Sequence, residues 1–165
     1  FTNNALNVRK VGFTYGANSS YAMRRLAGPF TATASVVTAK TDSSLIEFLR
    51  ELRRIRDEAV PAEELAKAKQ YIALSTPGDF ETTRGTAGQF LDLLSNDLPL
   101  SWYSTYVERI NAVTAADVQR VARAYIDIDH SAIVVVGDRG RIESGIRALN
   151  EGSISFRDLW GQEIH

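Results

Sequence analysis

From Thr41 to Tyr125 apolar residues recur at helical spacing, and prolines at 61, 77 and 99 cut that run into separate pieces. A proline inside a helix removes a backbone donor and clashes with the carbonyl one turn earlier, so the run cannot be one long helix. The first piece opens on Thr41-Asp42-Ser43-Ser44, a cluster of residues that cap helix N-termini. Leu45, Ile46, Phe48, Leu49, Leu52 and Ile55 then keep the 3.6-residue period. Beyond Val60-Pro61 a second helix is expected through Glu63, Glu64, Leu65, Tyr71, Ile72 and Leu74. Pro61 suits its first turn, and the two carboxylates sit at the positive end of its dipole. A third is expected over about 80–95, after Pro77-Gly78-Asp79. A fourth carries Trp102, Tyr103, Tyr106, Val107 and Ile110, the aromatics reading as core. Thr114-x-x-Asp117 reads as a capping box that opens a fifth, with Val118, Val121, Ala122 and Tyr125.

Strand-like sequence flanks this helical middle. Residues 1–8 read as the end of a helix. Residues 12–23 and 30–39 alternate aromatic, β-branched and small residues and form a hairpin around the turn Arg24 to Gly28-Pro29. Ile133-Val134-Val135-Val136-Gly137 is continuously apolar and reads as a buried central strand. Residues 139–149 form a last helix, and 153–165 an irregular or strand-like tail. Two strands, about five helices, a strand and a helix make an α+β protein: a mainly antiparallel sheet with helices packed on one face. At 165 residues this reads as a single domain over 1–165. Because the chain opens on Phe1 directly into structured-looking sequence, it is expected to be an N-terminally truncated fragment or a processed product.

The residues with chemistry do not make a catalytic set. There is no cysteine, which removes disulfides, thiolate catalysis and Cys-ligated zinc. The two histidines, His130 and His165, are 35 residues apart with no Glu-His neighbour. Gly-x-Ser-x-Gly is absent, and Gly137-Asp138-Arg139-Gly140-Arg141 lacks the Lys-Ser/Thr of a phosphate loop and reads as a turn and helix start. A formal charge of −1 gives no basic excess for nucleic acid. No run approaches the ~18 apolar residues of a membrane span. Arg50, Arg53, Arg54 and Arg56 alternate with Glu47, Glu51, Asp57 and Glu58, the pattern of a solvated, salt-bridged helix face.

Several segments, in this order and at this spacing, carry a resemblance. They are Asn7-Val8-Arg9-Lys10-Val11-Gly12-Phe13-Thr14-Tyr15-Gly16-Ala17; Gly28-Pro29-Phe30-Thr31; the stretch from Val60-Pro61 to Lys69; Leu98-Pro99-Leu100; the stretch from Ile110 to Ala122; and Ile133 to Gly137. Together they resemble the inactive, C-terminal half of the pitrilysin/insulinase-type zinc metallopeptidases, the family that includes mitochondrial processing peptidase. The resemblance implies a clam-like chamber of two halves. The partner half, fused or separate, carries the zinc on a His-x-x-Glu-His motif, and this half carries no metal and is inactive alone. It implies that Tyr15 supports the transition state from across the chamber, its hydroxyl donating to the oxyanion. Arg9 and Tyr15 together would bind the peptide substrate, the guanidinium with paired donors. The family usually sets its Arg seven residues before the Tyr. That position here is Val8, and Arg9 is six away. Short bacterial relatives of this type are often exported, so the periplasm is the expected compartment. The alternative is a non-proteolytic scaffold or interaction subunit of the same fold.

Overall fold

The computed structural model describes residues 14–22 and 24–164, with the side chain of Tyr15 outside that description. Strand β1 (Thr14–Tyr21) pairs antiparallel with β2 (Phe30–Val36). The connecting turn is closed by the Ala22 N–H donating to the Pro29 carbonyl at 3.0 Å. Gly28 is required there, because a Cβ at that position would stand 1.8 Å from the Ala22 carbonyl oxygen. Along β2 half-buried and exposed residues alternate, as the two-residue period of a half-covered strand demands.

Six α-helices follow: α1 (Thr41–Asp57), α2 (Ala62–Ser75), α3 (Thr83–Ser95), α4 (Tyr106–Ala112), α5 (Ala115–Tyr125) and α6 (Arg139–Leu149). A short terminal hairpin pairs β3 (Phe156–Arg157) with β4 (Glu163–Ile164). The fold is α+β with antiparallel strands, as expected. The core gathers Leu49 of α1 with Ala122, Ile126 and Ile128 at and after the end of α5. Phe30 of β2 and Leu45, Leu52 and Ile55 of α1 pack against it. Helix α1 is therefore the spine, with the hairpin, α5 and α6 arranged around it.

Helix ends are closed by neighbours as well as by local caps. The Thr114 hydroxyl accepts from the Asp117 N–H at 3.1 Å and Asp117 accepts from the Thr114 N–H at 3.0 Å, the expected capping box of α5. Helix α5 in turn serves α1. Gln119 donates to the Asp57 carbonyl at 2.8 Å and Arg123 to the Arg56 carbonyl at 3.2 Å, two acceptors that the end of α1 leaves without helical partners. Asp138 caps α6 by accepting from the Gly140 N–H, so Gly137–Arg141 is the turn and helix start that its sequence implies.

Four expectations need correction. Thr41–Ser44 lies inside α1 rather than capping it. A 3-10 turn over Thr38–Lys40 leads in, Lys40 is the cap residue, and the Thr41 hydroxyl donates back to the Thr38 carbonyl. The third helix begins at Thr83, because Pro77 sets up a separate 3-10 turn over Thr76–Phe80 and Thr82 is the true cap. The fourth is divided: Leu100–Thr105 is 3-10 and only Tyr106–Ala112 is α. Its aromatics are half-buried and edge-packed, Phe80 on Tyr103 at 4.9 Å and Tyr103 on Tyr106 at 5.6 Å. The last correction is the largest. Ile133–Val136 joins no ladder among the described residues and is exposed, with Val134 at 84% and Val136 at 91%. A continuous apolar run fits a strand covered on both faces, and the described residues supply no such cover.

Candidate functional site

The β1–β2 register slips between Thr14 and Gly16. Thr14 pairs with Val36 and Gly16 with Ser35, which leaves Tyr15 as the unpaired residue of a β-bulge. Bulges of this kind bend a strand locally and break its strict alternation. Thr14 fixes this one. Its side chain is buried, its hydroxyl lies within hydrogen-bonding reach of the Gly16 and Ser35 carbonyls, and it accepts from the Gly16 N–H at 3.1 Å. The backbone of Tyr15 is thus held at a clamped irregularity close to the N-terminal end of the described chain. Arg9 and His165 lie outside the described residues.

Below the bulge, the inner face of the hairpin carries small residues: Ala17, Ser19 and Ala32 all line one cavity against α1. Leu52, Ile55 and Ile126 complete its apolar wall, and its volume of about 40 Å³ has room for a few waters or one small apolar group. Charged groups from α1 and α2, Glu51, Arg54 and Glu64, also line it. Glu51 is only 4% exposed and accepts from Arg54, which also lies 3.6 Å from Glu64. Burial opposes the charge of Arg54, but hydrogen bonding and attraction from Glu51 and then Glu64 outweigh it and hold the guanidinium above its ordinary pKa.

Arg50 pairs with Glu47 and Arg56 with Asp57, as the alternation implies, while Arg53 reaches Glu151 beyond the end of α6. The depth of Glu51 was not legible in that pattern. Its heptad-like spacing from Ser44, itself buried, was the available signal.

His130 sits in the turn after α5, where its Nδ1 is 2.8 Å from Asp127. The hydrogen bond from the His130 side chain lowers the Asp127 pKa and outweighs the opposing desolvation. Among the described residues no group of three or more His, Asp or Glu side chains converges to hold a metal ion. Among the same residues no helix is long and apolar enough to cross a membrane.

No protein-family model matches the chain, and no curated protein matches it. Among solved structures, it is similar to the crystal structure of a peptidase M16 inactive domain from Pseudomonas fluorescens. The TM-score is 0.61 and the identity 21%, over 73% of this chain. At that identity the likeness establishes a shared fold. The chain spans 29% of the length of that protein.

Proposed function

We propose that this chain is the non-catalytic half of a zinc metallopeptidase, working with a separate or fused half that carries the zinc. The observation that carries the reading is the fold shared with a peptidase M16 inactive domain. The clamped bulge at Tyr15 adds to it, because it sets one residue of the Gly-Phe-Thr-Tyr-Gly segment apart from the regular ladder. In this reading the chain closes a chamber over an extended peptide. Tyr15 donates its hydroxyl to the carbonyl oxygen of the scissile bond, where preorganised donors act most strongly on developing charge. Arg9 holds a substrate carbonyl or carboxylate. Zinc enters only through the partner half.

The test is cleavage of a quenched fluorescent peptide library with zinc present, by this chain, by the candidate zinc-bearing half, and by the two mixed. The expected result is cleavage in the mixture alone, reduced about 10²-fold by Tyr15→Phe, the scale of removing one oxyanion donor. Cleavage by the zinc-bearing half that is indifferent to this chain would remove the role of Tyr15. The chain would then be a scaffold subunit of the same fold.

A further inference from the structure

We propose that the cavity between the hairpin and α1 binds a small alkylamine, its alkyl body against the apolar wall and its ammonium at Glu58 and Glu64, in a role apart from any peptidase function. The wall decides the body of the ligand. Leu52, Ile55, Ile126 and the half-buried ring of Phe30 line the cavity and face Ala17 and Ala32 of the strands, whose side chains are too short to fill it. A cavity that takes up benzene measures about 150 Å³. The space here is about 40 Å³, so it holds a short alkyl chain rather than a ring. The lining also runs from buried to exposed. Ala17, Glu51 and Ile126 are each 4% exposed, whereas Glu58 and Ala59 are open to solvent. The cavity thus has a dry end and a wet end, and the ligand that suits it is apolar at one end and polar at the other.

Charge decides the polar end. The charged groups in the described lining are the carboxylates of Glu51, Glu58 and Glu64 and the guanidinium of Arg54. Arg54 directs Nε and a terminal nitrogen at Glu51 and stands 3.6 Å from Glu64, beyond hydrogen-bond distance. The Glu58 carboxylate makes no hydrogen bond or ion pair among the described residues. An anion entering here would meet more like charge than opposite charge, and a neutral head would leave Glu58 unanswered. A cation complements both Glu58 and Glu64. The Phe30 ring favours the same choice, since an aromatic face attracts an ammonium within about 6 Å. At the exposed end the ammonium keeps part of its water, which spares most of the cost of burying a charge. An alkylamine therefore satisfies the wall, the ring and the carboxylates together.

The experiment is an amide-resolved NMR titration of the chain near neutral pH with n-butylammonium chloride, the ionic strength held constant with sodium chloride. The amides of Ala17, Ser19, Ala32 and Leu52 should shift together along one saturable curve, with a Kd on the order of 1 mM for so small a ligand. n-Butanol has the same chain with a neutral head, and ammonium chloride has the head without the chain. Each should bind about tenfold more weakly or worse. Glu58→Gln/Glu64→Gln should weaken n-butylammonium by about tenfold and leave n-butanol unchanged. Both side chains have access to solvent, and the spectrum of the variant reports its fold. Equal binding of n-butanol and n-butylammonium would overturn the proposal, leaving an apolar cavity with no choice of head group. Shifts that do not saturate, or that map away from the cavity, would overturn it as well. So would a one-lysine peptide that binds there more tightly than n-butylammonium, which would assign the cavity to a peptide side chain. No peptidase activity is read, so these outcomes leave the role of Tyr15 to its own test.

Discussion

The Arg54 Nε donates to a Glu51 carboxylate oxygen at 3.1 Å while a terminal guanidinium nitrogen stands 3.0 Å from the same oxygen, and Glu51 is almost completely withdrawn from water. The pair spans one turn of α1 and lines the cavity under the hairpin. A buried carboxylate tolerates that position only with a partner. Arg54→Met should therefore destabilise the protein by about 2 kcal/mol, below the fully buried range because Arg54 itself is partly solvated. The double variant Glu51→Leu/Arg54→Met should recover most of that loss, since the charge left behind is removed as well. Urea unfolding of the three variants checks both statements. Equal losses in the single and double variants would show that packing, not charge, governs the site.

The hairpin turn has no room for a side chain at Gly28. A methyl group there would sit 1.8 Å from the Ala22 carbonyl, which is backbone and cannot rotate away. Gly28→Ala should cost about 2 kcal/mol or more through forced movement of the turn. Exchange of the β1 and β2 amides should rise ahead of the helices. An unchanged melting curve would contradict the geometry.

Thr14 is the clamp of the bulge that carries Tyr15. Thr14→Val keeps the shape and removes every hydrogen bond that its hydroxyl makes around Gly16 and Ser35. The expected loss is about 1–2 kcal/mol, the scale of a buried hydrogen bond left half made. If the proposed function holds, activity with the zinc-bearing half should fall along with stability. Thr14→Ser should restore both. A stability loss that serine does not rescue would point to the methyl group instead.

The α5 capping box gives a pH dependence of known sign. Hydrogen bonds from the side chain and backbone of Thr114, followed by Arg120, lower the pKa of Asp117 below its ordinary value. A group with a depressed folded pKa stabilises fully above the unfolded value of about 4, and that contribution fades as pH falls through the lower folded value. Asp117→Asn should thus flatten the fall of the urea midpoint on the acid side of pH ~4 and change its shape little at neutral pH. Thr114→Ala, which removes the reciprocal acceptor, should cost about 1 kcal/mol near neutrality. Midpoints measured at several pH values between neutral and strongly acid decide the point.

The candidate site was legible in part. Gly16 within strand sequence is the usual mark of a bulge, and Tyr15 beside it was singled out through resemblance. The clamp by Thr14 was not legible, because it needs the Ser35 carbonyl, 21 residues away, to arrive at its hydroxyl. Arg9 remains an expectation that rests on sequence.

What the residue order determined by itself is local. Pro61, Pro77 and Pro99 mark points that no helix runs through, since a proline in a helix interior removes an N–H and clashes with the preceding turn. The Thr114–Asp117 box closes within four residues, and Gly28 answers a steric demand inside one turn. The helical period of α1 placed Leu49, Leu52 and Ile55 toward a core before any partner was known. Only the tertiary structure decided the rest. It put Glu51 under cover while Glu47 and Asp57 on the same helix, and Glu58 just past its end, kept more contact with solvent. It left Ile133–Val136 open where the same letters would otherwise be a central strand. Burial and strand pairing are properties of whatever lies opposite a residue, and a run of valines specifies what it needs beside it without supplying it.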